Sequence, residues 1–391
     1  MSKIFDVAIV GAGASGLACA YFLKTNNIII LDKYEGTRKL SIVGNNRCNI
    51  TSTLPYDDFL EEYGKNGQFL RDTFKQFFKN ELISWIKELG IETETENTKV
   101  FLKNKTSKQF AAILKAAVKR KISDFKEFET VKQIIKENGM FILVSEKGSY
   151  KSKALVLACG GKSYPQTGSD GSGYKLAKDL GHTIINPEPM ETPFCAEMCC
   201  RELQGITLKD VKTTLMVNRK KYTEKGDLVF THFGVSGPVI LKLSDKSFKK
   251  ATLKIKLIDN CDEITKELHF YKGKVKNFLR QFIPQKLSQK VPHSEEKASN
   301  LNKNQIYEIE KFLSSFTLYI RKCGFDKAFV TKGGISLKEV NPKTFGSKIV
   351  KNLFFCGEIL DIQGNIGGFN LQFAFSSGYS VAMAINRQYK N

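Results

Sequence analysis

The chain has 391 residues, 41% of them hydrophobic and 26% charged, which excludes a disordered or fibrous protein and leaves length for two or three cores. No stretch approaches the roughly 20 uncharged apolar residues of a membrane span, and nine cysteines scattered through apolar segments suit reduced thiols in the cytoplasm better than a secreted disulfide framework. A net charge of +21 favours a polyanionic partner, although only nine of the 61 cations are Arg, and a composition rich in Lys, Asn and Ile would give the same number without selection for binding.

Residues 5–10 read as a buried parallel strand running into Gly11, Ala12, Gly13, Ala14, Ser15 and Gly16, followed by an apolar helix over 17–23. This is GxGxxG between strand and helix. Gly11 serves the tight turn, Gly13 lets backbone approach a pyrophosphate, and Gly16 allows close helix-to-strand packing, while the free amides around Ala14 and Ser15 and the positive helix end hold the phosphates. A second apolar run over 28–31 ends in Asp32, sixteen residues after Gly16, where a carboxylate can accept from ribose hydroxyls, with Lys33 beside it. Residues 38–51 form a polar glycine loop too rich in donors for an ordinary connection. It is expected over the cofactor, with Lys39, Leu40, Gly44, Arg47, Cys48 and Asn49 as contacts. A short strand over 154–158 ends in Cys159, Gly160 and Gly161, and a second glycine loop over 167–173 precedes a helix over 174–180. Such loops let main chain lie against a flat ring or a phosphate; glycines that only permit turns would read the same.

Pro187, Pro189 and Pro193 break the pattern near Asn186, which places a boundary there. Short runs at 211–217, 228–230 and 251–257 alternate with charges and turns as in a small antiparallel barrel or sandwich. Helical spacing follows over 262–287 and 305–313, and 317–330 returns to the barrel. Residues 242–290 carry 13 Lys or Arg against 5 acids, with Phe248, Phe270, Tyr271, Phe278 and Phe282 interleaved. Basic side chains beside aromatics suit a phosphate backbone and unstacked bases; a solvated helix face with core aromatics has the same composition.

Residues 351–359 read as a strand closing on Gly357 and Glu358, followed by Asp361, Gly367, Gly368, Phe369, Asn370 and a small-residue helix through Gly378. A sheet whose first strand is N-terminal and whose last is C-terminal is the plan of flavoproteins with two dinucleotide-binding folds. There a terminal acid and glycine turn meet the ribityl chain, and a helix N-terminus faces the ring. The fingerprint serves FAD and NAD alike; the second glycine site favours FAD. No GxGxxG recurs for a nicotinamide cofactor, so NADPH or NADH would visit the flavin without a fingerprint of its own. Cys195, Cys199 and Cys200 lack a second pair at finger spacing, which argues against a metal, and Cys48 has no partner at disulfide-reductase spacing. His182 and His232 are each able to donate a proton, or only to cap and pack.

The motifs GAGASG, RKLSIVGNNRCNIT, LACGGKSYPQTGSDGSGY with Gly181 and His182, THFGVSGP, TKGGISLKEVNPKTFGSK and LFFCGEILDIQGNIGGFNLQFAFSSG lie within residues 6–378. On these the chain resembles the BaiN/RdsA family of bacterial NAD(P)/FAD-dependent oxidoreductases, which includes YhiN and the aminoacetone oxidase-like flavoproteins. The resemblance implies an α/β, Rossmann-like flavoprotein fold: an FAD-binding domain of 1–187 with 333–391, an inserted β-barrel of 188–260 with 315–332, and a helical subdomain of 261–314. It implies that the strand beginning near Val131 offers backbone to the adenine. It also implies that NAD(P)H reduces FAD, that hydride passes from flavin N5 to C6 of a uridine in 23S ribosomal RNA, and that an acid protonates C5 to give dihydrouridine. Cys48 is the first candidate acid, with Glu358 and His232 as alternates, and ribosomal RNA would meet the basic insertion at 242–290. Other relatives act on small molecules as amine oxidases or enone reductases, and a non-catalytic RNA-binding flavoprotein is a third reading. Asp32 stands where Glu is commoner in the family, Asn45 and Asn46 stand where Gly is common, and the weakly patterned stretch 195–204 carries no functional residue over.

Overall fold

Two near-continuous apolar runs, Ile4–Val10 and Ile28–Leu31, have no polar face to turn to water, so they must lie inside a sheet covered on both sides. The computed structural model, which describes residues 3–196 and 201–388, places them there. The chain forms two compact units, one of residues 1–188 and 330–391, the other of residues 189–329.

The first unit is built on a seven-stranded sheet in the order Asp124–Lys126, Ile28–Leu31, Ile4–Val10, Ser149–Leu157, Met140–Ser145 and Val131–Glu137, with Leu353–Phe355 also on the Ser149–Leu157 strand. That central strand divides its outer edge. Its first half pairs antiparallel with Met140–Ser145 (Phe141 opposite Ser152), and its last three residues pair in parallel with the C-terminal strand (Leu353 opposite Leu155). The C-terminal strand is shorter than the run suggested by sequence, because the chain turns at Gly357 with φ +76°, a value open to glycine at little cost.

Both chain ends meet on this sheet. The helix after the fingerprint, Ala14–Phe22, packs on the C-terminal helix Phe369–Gln388. They cross at Gly378, where a Cβ would overlap the Ser15 carbonyl oxygen and lie 3.0 Å from Ala18 Cβ. Asn386 secures the end of the first helix, accepting from the Lys24 amide (2.8 Å) and donating to the Phe22 carbonyl (2.9 Å). Phe22, Phe77, Trp85 and Tyr379 pack ring on ring around this crossing, with centroids 4.7–6.2 Å apart, contacts that each add about 0.5–1.5 kcal/mol beyond buried area. The stretch 38–51 is more ordered than a loop: it holds a helical turn, Arg38–Ser41, a 3₁₀ turn, Val43–Asn46, and a strand, Asn49–Ser52, in a three-stranded sheet with Lys99–Leu102 and Thr93–Glu96.

The second unit closes an antiparallel barrel in the order Phe194–Ala196, Gly234–Ser236, Lys220–Thr231, Thr207–Val217, Ala251–Ile255 and Phe316–Lys322. Helices Cys261–His269, Val275–Leu279, Gln285–Ser288 and Lys303–Ser314 interrupt it. Leu268, Leu279, Leu287 and Ile309 from the helices share one buried cluster with Leu215, Phe230 and Leu318 from the barrel. Barrel and helices therefore make one unit where the sequence suggested two pieces. Closure of the barrel pairs Cys195 with Arg321, and Cys195 then meets Cys323 in a disulfide. The expectation of reduced thiols throughout fails for this pair, which is separated by 128 residues and so invisible to spacing. Cys199 and Cys200 lie outside the described residues. Among the described residues no helix is long and apolar enough to cross a membrane, and no group of three His, Cys, Asp or Glu side chains is placed to hold a metal ion.

Candidate functional site

Each fingerprint glycine has its own surroundings. Gly11, at φ +107°, donates to the Leu31 carbonyl (2.9 Å), and a Cβ there would overlap the Ala158 carbonyl oxygen. At Gly16 a Cβ would overlap the Gly11 carbonyl oxygen and stand 3.2 Å from Ala158 Cβ. Gly13, immediately before the helix, is different: a Cβ there would meet nothing within 4 Å. The space over Gly13 is open, and the first amides of the helix, among them those of Ala14 and Ser15, have no intrahelical acceptor. That is a cradle for an anion.

Asp32 ends the second strand with both oxygens engaged by backbone, Oδ2 by the Ala12 amide (2.7 Å) and Oδ1 by the Tyr34 amide (2.9 Å). Each oxygen retains a lone pair for a further donor, and burial raises its pKa against the lowering effect of these amides. The backbone of Asp32 also binds the segment that leads to Val131: its amide donates to the Lys126 carbonyl (3.0 Å) and its carbonyl accepts from the Glu129 amide (2.8 Å). Val131 itself is buried opposite Ser145 at the start of the outer strand. Lys33 reaches the second glycine loop, 2.6 Å from Asp170 and 3.2 Å from Ser172 Oγ.

A polar cluster joins four distant parts of the first unit. Lys39 Nζ lies 2.6 Å from both Glu358 Oε2 and Ser163 Oγ, and Ser163 Oγ donates to Glu358 Oε1 (3.1 Å). The Thr331 amide also donates to Oε1 (2.8 Å), while Thr331 Oγ1 accepts from the amides of Lys162 (2.7 Å) and Ser163 (3.0 Å). Gly161 must be glycine at this point, because a Cβ would stand 2.8 Å from Thr331 Cβ and 3.0 Å from Glu358 Cδ. Gly160 and Cys159 lie just before it; Cys159 donates to the Val10 carbonyl (3.4 Å), and burial pushes its thiol up to about 12. Gly357 presses on the fingerprint helix, with its amide donating to Ser377 Oγ (3.0 Å) and Ser15 Oγ donating to the Cys356 carbonyl (3.2 Å).

Further along, Asp361 Oδ1 accepts from the Gly333 amide (3.1 Å), and burial raises its pKa. Asn370 closes a loop by exchanging two hydrogen bonds with the Gly364 backbone (2.9 and 2.7 Å), and the buried Phe369 offers its carbonyl to Tyr63 (2.7 Å). A Cβ at Gly367 would overlap the Phe369 ring, and one at Gly368 would stand 2.6 Å from the Thr51 carbonyl oxygen and 2.7 Å from Asn49 Oδ1.

Several candidates from the 38–51 stretch sit differently from expectation. Cys48 is 1% exposed within the core, where burial pushes its thiol up to about 12. A thiol so enclosed keeps its proton and exposes almost no surface. Arg47 turns outward to Glu96, with its guanidinium 4.4 Å from the centre of the Phe101 ring. Leu40 is buried core, and Gly44, at φ +61°, has open space around it. Glu358 accepts at both oxygens, an acceptor's setting rather than a donor's. His232 is exposed on the turn between Lys220–Thr231 and Gly234–Ser236. His182 is a packing residue, buried edge-on against Phe355 and bonded to Ser347 Oγ (2.9 Å).

Sequence reasoning passed over Ser163, Thr331 and Tyr174. The Tyr174 ring is 7% exposed, and its hydroxyl is buried without a partner. Burial raises its pKa, and Glu358 and Asp361 raise it further. Asn49 Oδ1 is likewise buried and unpartnered. Orphaned polar atoms of this kind call for a bound group to satisfy them. Together with the open cradle at Gly13, they fit a dinucleotide carrying phosphates and hydroxyls.

Residues 5–384 match the family described as HI0933-like protein, Rossmann domain. The chain belongs to this family. It is 28% identical to the ribosomal RNA dihydrouridine synthase of Haemophilus influenzae, over 99% of this chain and all of that one. It is 27% identical to the 3-dehydro-bile acid delta(4,6)-reductase of Clostridium scindens, over 97% of this chain and 98% of that one. Among solved structures it is similar to the open conformation of a flavocytochrome c3 fumarate reductase (TM-score 0.56, 14% identity, 100% of this chain and 79% of that one). It is also similar to the 3-ketosteroid-delta4-(5alpha)-dehydrogenase of Rhodococcus jostii (TM-score 0.55, 11% identity, 98% of this chain and 97% of that one). At such identities these two establish the fold of this family member, a Rossmann-like flavoenzyme fold, and nothing finer.

Proposed function

We propose that this protein is an FAD-dependent oxidoreductase that reduces a uridine of 23S ribosomal RNA to dihydrouridine, drawing electrons from NADPH or NADH. The observation that carries the substrate is the likeness to ribosomal RNA dihydrouridine synthases from Haemophilus influenzae and Escherichia coli, over 99% and 97% of this chain. Open space at Gly13 and a helix start behind it would take the pyrophosphate. Asp32 would accept from the adenosine ribose, the backbone leading to Val131 would meet the adenine, and the segment from Gly357 to Asn370 would line the ribityl chain and ring. When bound, FAD supplies two electrons as a hydride for the C5–C6 bond of uracil. Lys39 and Ser163 orient Glu358, and Glu358 in turn bonds the Thr331 amide, so these contacts would support the site without needing a ligand to form them. Of the three candidate acids, Cys48 is buried and Glu358 accepts hydrogen bonds at both oxygens. Replacing Cys48, Glu358 and His232 in turn, with the flavin spectrum as control, tests proton donation.

The test is ribosomal RNA from a deletion strain, probed for dihydrouridine by reverse-transcription stops after alkaline treatment. One stop present in the parent strain is expected to vanish. If every stop remains, the RNA reading falls. The likeness to a bile acid reductase at 27% identity favours a second reading, a small-molecule enone reductase or amine oxidase using the same flavin. Amine-dependent peroxide formation or enone-dependent NAD(P)H oxidation by purified protein would support it.

A further inference from the structure

In the helical segment of the second unit Phe270 is the most exposed Phe or Tyr ring, ahead of Tyr307 and Phe282. Phe270 follows helix Cys261–His269 and is 82% exposed, although burying a ring of that size is ordinarily favourable. Its aromatic neighbours in sequence behave otherwise. Tyr271 packs on Phe278 (5.3 Å) and Phe278 on Phe282 (5.4 Å), and Gly273 lies so close that a Cβ would stand 2.6 Å from the Tyr271 ring. That row of rings anchors the turn and leaves Phe270 projecting from a fixed base, with the His269 ring edge-on at 5.5 Å.

The charges around it divide in the same way. Lys274 and Lys276 both pair with Glu295, and Lys290 pairs with Glu202. Lys266, four residues before Phe270 and so on the same side of the helix, is exposed, as are Lys272 and Arg280. None of these three has an ion pair among the described residues. Residues 242–290 carry a net charge of +8. Exposed cations four residues before and two residues after an exposed flat ring are of the kind that hold an unstacked base by its neighbouring phosphates. A lipid surface would ask for several apolar side chains on one face, and a protein partner for a broader apolar patch.

We propose that Phe270 is a stacking platform for an unpaired base of single-stranded RNA, with Lys266 and Lys272 on the flanking phosphates. This rests on the RNA reading above and adds to it the element that takes hold of the strand. The test uses the full-length, flavin-loaded protein and a fluorescein-labelled single-stranded RNA 12-mer, with a duplex of the same length as comparison. Single strand is expected to bind more tightly than duplex. Phe270→Ala should lose about tenfold or more in affinity while Phe270→Tyr retains it. Lys266→Gln and Lys272→Gln should each lower the slope of log affinity against log salt by about 0.7. Flavin content and the circular dichroism spectrum should match the parent throughout, since Phe270 supports no core. Unchanged affinity in Phe270→Ala overturns the platform, and dihydrouridine formation measured in parallel shows whether the substrate reading survives without it. Capture of the parent protein by phosphatidylglycerol vesicles but not by RNA overturns the platform in favour of a lipid surface.

Discussion

Gly13 and Gly16 stand three positions apart and predict opposite failures. A side chain at Gly13 enters open space, so Gly13→Val should fold and melt as the flavin-free parent does, yet purify colourless because the branched side chain fills the phosphate cradle. A yellow Gly13→Val would contradict the cofactor assignment. Gly16→Val drives a side chain into the Gly11 carbonyl and Ala158 and should lower stability by at least about 1–3 kcal/mol, read as a lower urea midpoint even without flavin. Cys48 makes a third case. With its thiol enclosed and pushed up to about 12 by burial, Cys48→Ala should cost about 1–2 kcal/mol through lost packing and leave turnover within a few-fold of the parent. Loss of turnover at full flavin content and unchanged stability would return the thiol to the chemistry.

Two histidines act on the elements that hold them, in opposite directions. In the first unit His182, placed just after helix Ser172–Asp179, has its pKa lowered by burial, against the opposing pull of Glu339. Folding thus favours the neutral ring. Its contribution is complete above the ordinary value near 6.5 and is lost as pH falls through the lowered value. In the second unit His293 bridges Glu296 (2.7 Å) and Glu308 (2.9 Å), tying a turn to helix Lys303–Ser314, and these hydrogen bonds raise its pKa. Here folding favours the charged ring, whose contribution is complete below about 6.5 and fades as pH rises through the raised value. Urea midpoints measured from pH 5 to 8 should lose part of their acid limb in His182→Gln. His293→Gln should be destabilised relative to the parent at pH 5.5 and converge with it at pH 8. Parallel pH profiles for parent and variant would refute either assignment.

At the scale of the whole chain, the second unit is a single uninterrupted segment with its own buried cluster, whereas the first is assembled from both ends of the sequence. A chain of residues 189–329 alone should therefore fold, with a cooperative urea transition and the Cys195–Cys323 bond formed under oxidising conditions. A chain ending at 188 should not, because it lacks Leu353–Phe355 and the helix whose Gly378 and Asn386 clasp the fingerprint helix. A cooperative transition in that truncated chain would show that the C-terminal segment is an ornament on the sheet.

The residues themselves determined whatever depends on near neighbours. The strand, glycine turn and helix at 4–22, the glycine turn after Phe355 and the alternating strands of the barrel are written in apolar runs, turn chemistry and a period of two, which act within a dozen positions. Tertiary structure alone decided which distant residues met. Lys39, Ser163, Thr331 and Glu358 converge because the Ser149–Leu157 strand takes the first strand on one edge and the last on the other. Packing beside the three-stranded sheet, where the Leu102 amide bonds the Cys48 carbonyl, encloses Cys48, and barrel closure joins Cys195 to Cys323. No local pattern carries such pairings, since each is the product of which strands lie side by side, a choice settled by the burial of the sheet as a whole.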